Sequence, residues 1–397
     1  MLQVKDEIYW VGIKNWELKN FHGAEFSTPQ GSTYNSYLIK DEKIALIDTA
    51  WKPFKEDFVD NLDREVGLNN IEMIVMNHAE IDHSGALPEL LHRIPDVPIY
   101  CTEKGREIIF KLFQKEWNFK LVKTGDTLDL GRNQLLFIEA PMLHWPDSMF
   151  TFVKGANVLL SNDAFGQHYA SSGLFNDEAD SCKLDQEALK YYVNILHPFR
   201  RLIKQKIDQL KSLNLPIEMI APSHGVIWRK NPLDIVERYY RWSDDYPGEG
   251  VLIIYDTMWD STKAMAHAIG EGLKAGNIPY RVINSTKYDN SDILVEIFKA
   301  TGVIIGSPTV NNGVLSSIPG LLAEAKGLKF TGKIGAAFGS YGWSGEGIKI
   351  IGKLLEEAKF TLINEGFKLK YKPTEKELQQ CIQFGKEFAS KVKELSN

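Results

Sequence analysis

The sequence predicts an α/β chain of two domains: a two-sheet sandwich covered by helices over residues 1–248, then a doubly wound parallel sheet over residues 249–397. Three observations predict it. Several apolar runs in the first part end in histidine or carboxylate residues. Strands in that part group early and late, with helices between them. Beyond residue 250 the pattern changes to strand, small-residue loop and helix, repeated. A chain of 397 residues is long enough for two separate cores.

In the first part, residues 8–12, 34–39 and 44–48 read as strands, and residues 53–59 open an amphipathic helix. Residues 71–76 form the next apolar run, and His78-Ala79-Glu80-Ile81-Asp82-His83 follows it directly, placing four potential metal ligands in six residues between a strand and a helix that begins near Ser84. Any one of these residues is ordinary in a loop, but three further runs end the same way. Residues 135–138 lead to His144, 158–160 to Asp163 and 217–220 to His224. Four strand ends converging on one edge would assemble His78, Glu80, Asp82, His83, His144, Asp163 and His224. The donors are nitrogen and oxygen only, with no thiolate placed to join them. Seven ligands are too many for one ion, and three carboxylates offset most of the charge of two divalent ions, so a buried two-metal centre can be balanced.

A polar, aromatic helix over residues 233–242 runs into Ser243-Asp244-Asp245-Tyr246-Pro247-Gly248-Glu249-Gly250, whose acids, proline and glycines read as a linker. Beyond it, residues 251–255, 303–306 and 334–338 read as buried parallel strands, and residues 281–283 and 360–363 complete five. Such a sheet binds its ligand at the carboxyl ends of its strands. The loops there match a flavin mononucleotide. Thr257, Met258, Trp259, Asp260, Ser261 and Thr262 offer hydroxyls and helix N-terminal amides to one phosphate. The stretch Pro308, Thr309, Val310, Asn311, Asn312 and Gly313, with Ser340, Tyr341, Gly342 and Trp343, offers amides and aromatic faces to a planar ring. Neither GxxxxGK[ST] nor GxGxxG occupies the first loop, which argues against a nucleoside triphosphate or a dinucleotide.

A formal net charge of −6 argues against general affinity for nucleic acid or an anionic membrane surface. The N-terminus shows no secretory pattern and no apolar run approaches a membrane span, so a cytoplasmic protein is expected. Cys101, Cys182 and Cys381 are dispersed, fit a reducing compartment and form no CxxC pair. His92, His168, His197 and His267 match no part of the metal pattern and read as structural or solvated.

The order of HxExDH followed by spaced His, Asp and His resembles the metallo-β-lactamase fold, an αββα sandwich. Hydrolases of that superfamily usually show HxHxDH. Here Glu80 replaces the second histidine, a hard anionic donor that moves the preference from zinc toward iron. Taken with the flavodoxin-like second half, with Leu143-His144-Trp145-Pro146-Asp147-Ser148, Asn162-Asp163 and Pro222-Ser223-His224-Gly225, the whole chain resembles a flavodiiron protein. The resemblance implies two non-heme irons and FMN. It assigns His78, Glu80 and His144 to one iron, Asp82, His83 and His224 to the other, and Asp163 as the bridge. It also assigns His22 and Tyr191 to the catalytic pocket as non-ligands, with Tyr192 competing for the tyrosine's place.

The expected activity is reduction of dioxygen to water and/or nitric oxide to nitrous oxide. The alternatives are a di-zinc hydrolase with a flavodoxin-like appendage and a flavin electron carrier with an inactive metal domain. The chain ends after an amphipathic helix over residues 375–395 with no CxxC, so electrons are expected from a separate rubredoxin, or alternatively from a reduced deazaflavin coenzyme, and only slowly from NADH. Nothing in the two-domain order makes the cofactors of one chain face each other. The resemblance therefore implies a head-to-tail homodimer, possibly paired again into a tetramer.

Overall fold

A computed structural model describes residues 1–244, 248 and 250–396. The chain divides into two compact units, one of Met1–Phe21 with Thr28–Ser243, the other of His22–Ser27 with Asp244–Asn397. The second unit takes in a short segment from near the N-terminus. Residues 245–247 and 249 of the expected linker lie outside the described residues.

Among the described residues the first unit holds two large sheets, besides a two-stranded one of Ile13–Asn15 with Ser32–Tyr34. One has seven strands in the order Leu2–Lys5, Ile8–Trp10, Tyr37–Lys40, Ile44–Ile47, Met73–Val75, Ile99–Cys101 and Phe119–Leu121. The other has five: Thr127–Asp129, Gln134–Glu139, Met149–Lys154, Val158–Leu160 and Met219–Ala221. Alternation along the strands explains the layering. Tyr37, Ile39, Ala45, Ile47, Met73 and Val75 join Phe137, Val153, Leu160 and Ala221 in one core between the sheets. Leu38, Leu46 and Ile74 point the other way, into a second core with Phe58, Leu62, Leu87, Leu90 and Ile109 from the covering helices. Both faces are buried, which is why these strands read as continuous apolar runs.

Strand direction places the ligand loops. Gln134–Glu139 is antiparallel to Met149–Lys154, which is antiparallel to Val158–Leu160, which is parallel to Met219–Ala221. Three strands therefore run the same way, and the loops carrying His144, Asp163 and His224 leave from one edge. The ligand-rich stretch after Met73–Val75 is not all loop, because Asp82 and His83 sit in a helical turn, Ile81–Ser84, with Glu80 at its N-cap.

The second unit is a parallel sheet in the order Tyr280–Asn284, Val251–Tyr255, Gly302–Gly306 and Ile334–Tyr341, with Thr361–Leu362 and Phe367–Lys370 both pairing to the last of these. Two expectations need correction. Ser340 and Tyr341 end a strand instead of lying in the following loop, because pairing with Leu369 and Lys370 extends it. The fifth strand is split into two short pieces, giving six strands in all. Among the described residues no helix is long and apolar enough to cross a membrane.

Candidate metal centre and nucleotide loops

The four strand ends bring all seven expected ligands together. His78 Nε2 lies 3.3 Å from Glu80 Oε2 and 3.5 Å from Asp163 Oδ2, and His144 Nε2 lies 3.2 and 3.4 Å from the same two oxygens. On the other side, His224 Nε2 lies 3.1 Å from Asp82 Oδ2 and 3.4 Å from Asp163 Oδ1, while His83 Nε2 lies 3.6 and 3.2 Å from those oxygens. Two sets result, each of two imidazoles and one carboxylate, with the two oxygens of Asp163 divided between them.

The electrostatics are those of a cluster organised for positive charge. Burial disfavours imidazolium, yet hydrogen bonds to Asp163 and Asp82 push the pKa of His224 up to about 10, and hydrogen bonds to Asp163 and Glu80 push that of His144 up to about 9. Burial likewise opposes a charge on Asp163, but His83, His144 and His224 hold its pKa well below the usual carboxylate range. Protons on these imidazoles occupy the place that cations take, so metal uptake must release them.

In the second unit, the loop after Val251–Tyr255 leads to the helix Ser261–Ala275, whose N-cap Asp260 is left-handed (φ 61°) and caps with no side-chain bond. The first-turn amides therefore remain available to a phosphate. Thr262 is buried, with its hydroxyl 3.0 Å from that of Ser340. Asn311 and Asn312 are both left-handed (φ 50° and 57°) in a tight turn closed by paired bonds between Val310 and Gly313. Pro308 is buried, and Thr309 accepts at its hydroxyl from the Gly347 amide at 3.3 Å. Trp259 and Trp343 are 87% and 89% exposed and Met258 is half exposed, so their apolar faces are uncovered at the sheet's carboxyl end.

A family model described as "ODP family beta lactamase" matches residues 33–225, and one described as "Flavodoxin" matches residues 253–385. The chain is 47% identical over 393 residues to an anaerobic nitric oxide reductase flavorubredoxin of Vibrio vulnificus, covering 98% of this chain and 79% of the relative. Its structure matches the rubredoxin oxygen:oxidoreductase of Desulfovibrio gigas with a TM-score of 0.95 and 35% identity, covering 99% and 98% of the two chains. It matches the flavodiiron protein of Giardia intestinalis with a TM-score of 0.94 and 32% identity, covering 99% and 97%. The chain belongs to the flavodiiron proteins.

That family is one of oxidoreductases with a non-heme diiron centre and FMN, and the residues present fit both groups. Asp82 Oδ1, His83 Nε2 and Asp163 Oδ2 are buried without a well-formed hydrogen bond, atoms whose desolvation a cation would offset. The donor set of imidazole and carboxylate suits iron. The uncapped helix and the exposed tryptophans suit a phosphate and a flat ring.

The structure places the two pocket residues differently. Tyr191, fully buried, donates from its hydroxyl to Asp163 Oδ1 at 3.1 Å, whereas the Tyr192 hydroxyl lies 3.0 Å from Ser243 Oγ. Tyr191 ends the helix Ser181–Tyr191, where the chain passes into a π-helical turn, Tyr192–Leu196. His22 is exposed and left-handed (φ 54°), in the segment grouped with the second unit.

Several residues that pack on the ligand cluster were not singled out as its neighbours from sequence. Of the two alternatives expected for His168, structural or solvated, the structure shows the first. His168 is buried, with Nδ1 2.7 Å from Ser32 Oγ and its ring 5.0 Å from Tyr191 and 5.2 Å from His224. Asp147 contacts His78, and buried Asp48 accepts at Oδ1 from the Asn77 amide at 2.8 Å. The Thr33 carbonyl faces His224 Nδ1 at 2.6 Å. Only Asp147 left a signal, as an acid inside the His144 motif.

Proposed function

We propose that this chain reduces nitric oxide to nitrous oxide and dioxygen to water at a diiron centre, with FMN in the loops of the second unit delivering electrons. One observation carries the reading: Asp163 gives one oxygen to each of two sets of equal composition, the arrangement two adjacent ions require. When bound, the diiron centre and the reduced flavin together supply four electrons, enough for dioxygen and twice what joining two nitric oxide molecules needs.

The chain's own residues set the stage. His78, Glu80 and His144 would hold one ion and Asp82, His83 and His224 the other, with one oxygen of Asp163 available to each set. Tyr191 fixes the Asp163 carboxylate through its hydroxyl. Phe21, packed on His168 at 4.3 Å, and Trp145, 5.3 Å from the His78 ring, keep water away from two sides. Support for both gases comes from the relatives, of which one is named a nitric oxide reductase and another an oxygen oxidoreductase.

The electron donor in this reading is a rubredoxin, with a reduced deazaflavin coenzyme as the alternative; the names of two relatives, a flavorubredoxin and a rubredoxin oxygen:oxidoreductase, support the first. A head-to-tail homodimer brings the flavin of one chain beside the diiron centre of the next. Three free cysteines, one of them exposed, fit a reducing cytoplasm.

The test is stopped-flow mixing of the fully reduced, iron-loaded protein with each gas separately, following flavin oxidation and product. Both gases should oxidise the flavin, and His144→Ala should abolish it. Zinc in place of iron, or a flavin indifferent to both gases, would sink the reading.

A further inference from the structure

The two metal positions have matched first ligands: two histidines, one carboxylate and one oxygen of Asp163 each. What stands behind the histidines is not matched. Asp147 is buried, and its Oδ2 accepts from His78 Nδ1 at 3.1 Å and from the Ala79 amide at 2.7 Å. A proton held on Nδ1 leaves the lone pair of Nε2 directed at Glu80 and Asp163, and an anionic acceptor makes that nitrogen a stronger donor. In the other position the corresponding partner of His224 Nδ1 is the neutral carbonyl of Thr33, at 2.6 Å. Buried Asp48 is no such partner of one ring, since its Oδ1 accepts from the Asn77 amide at 2.8 Å and its charge is felt by His83 first and by His78 second, one histidine of each set.

Asp147 is also tied into one position only. It lies three residues beyond His144, and its carbonyl accepts from Thr102 Oγ1 at 3.0 Å, so one short stretch supplies one ligand and orients another. Its Oδ1 is buried with no hydrogen-bond partner. A buried carboxylate with one bare oxygen is stabilised by net positive charge close by.

We propose that Asp147 is the positioning residue that makes the two metal positions unequal, so that the position of His78, Glu80 and His144 fills first. The proposal rests on the two-metal reading above, and the experiment separates the two. The metal-free, FMN-replete protein is titrated anaerobically with Co(II), followed by its visible absorption and by calorimetry. The native protein should take up two ions in resolved steps. In Asp147→Asn the tight step should weaken by about 10–100-fold, the usual consequence of removing such a partner, so that the steps merge, while Asp147→Glu should recover part of the difference by keeping the charge.

A second pair of variants tests the order of filling without touching Asp147. His83→Ala should keep the tight step, and His144→Ala should lose it. A tight step unchanged within twofold in Asp147→Asn, or its loss in His83→Ala and survival in His144→Ala, overturns the proposal. Uptake of fewer than two ions by the native protein would instead count against the two-metal reading itself.

Discussion

Single atoms carry much of the chemistry in the first unit, and the Tyr191 hydroxyl is the clearest case. It is the donor that fixes Asp163 Oδ1, and the two oxygens of Asp163 are divided between the two ligand sets. Removing a hydrogen bond to an ionised carboxylate costs about 1.5–3 kcal/mol. Tyr191→Phe is therefore expected to keep its iron but slow gas-driven flavin oxidation roughly 10-fold or more, measured by stopped flow beside metal analysis. An unchanged rate at full iron content would remove Tyr191 from the reaction. The thiols give a prediction in pH. Burial, helped by the charge of Asp147, pushes Cys101 up to about 12, and burial pushes Cys381 up to about 12. A folded pKa raised above the unfolded value of about 8.5 means that both thiols stay protonated as pH rises through that value. Their contribution to stability is complete below it and is lost as pH climbs toward 12. At pH 8.5 iodoacetamide should label one cysteine per native chain, the exposed Cys182, as read by peptide mass spectrometry. Labelling of native Cys101 would contradict the burial argument.

At the scale of elements, the second unit depends on one close helix crossing. Ser261–Ala275 and Glu375–Ser396 approach where Gly272 meets Gly385. A Cβ added at Gly385 would lie 2.1 Å from the Ile269 carbonyl oxygen and 3.0 Å from the Gly272 Cα, both backbone atoms that cannot swing aside. Gly385→Ala gains helix propensity of up to about 1 kcal/mol but must part the helices, at a cost of about 1–3 kcal/mol or more. Thermal unfolding should show a net loss. Gly327, in the helix Ser317–Leu328, has nothing within 4 Å of its added Cβ, so Gly327→Ala is the control, expected to be neutral or stabilising. If both variants melt alike, the crossing is not what holds those helices.

For the whole molecule, the proposed head-to-tail dimer makes each active assembly a product of two chains. A two-fold interface forms both flavin-to-iron contacts at once. A mixed dimer tests it: one chain carries a His83 substitution that breaks the metal site, and its partner carries substitutions in 257–262 that abolish flavin binding. Crossed transfer leaves one intact pair, the flavin of the first chain with the metals of the second, and about half the native activity per dimer on simple symmetry grounds. Isolated mixed dimers with no activity, both chains being folded, would rule out the inter-chain route.

The sequence by itself determined the two layered architectures and singled out the seven histidines and carboxylates that the fold gathers into one cluster, because both signals are local. A strand buried on both faces must be an apolar run, and a metal ligand at its end must interrupt that run with histidine or carboxylate, as at His78, Asp163 and His224. Tertiary structure alone decided the partners that hold those ligands. His78 and Asp147 are 69 residues apart, and His224 and the Thr33 carbonyl are 191 apart. A backbone carbonyl has no signature in sequence, and an aspartate in a loop looks the same whether it faces water or a histidine. Strand direction and loop path brought them together, carrying the Tyr191 hydroxyl to Asp163, burying His168 beside His224 and extending a strand to Tyr341. Such choices depend on which chain segments meet in space, a property that no window of neighbouring residues contains.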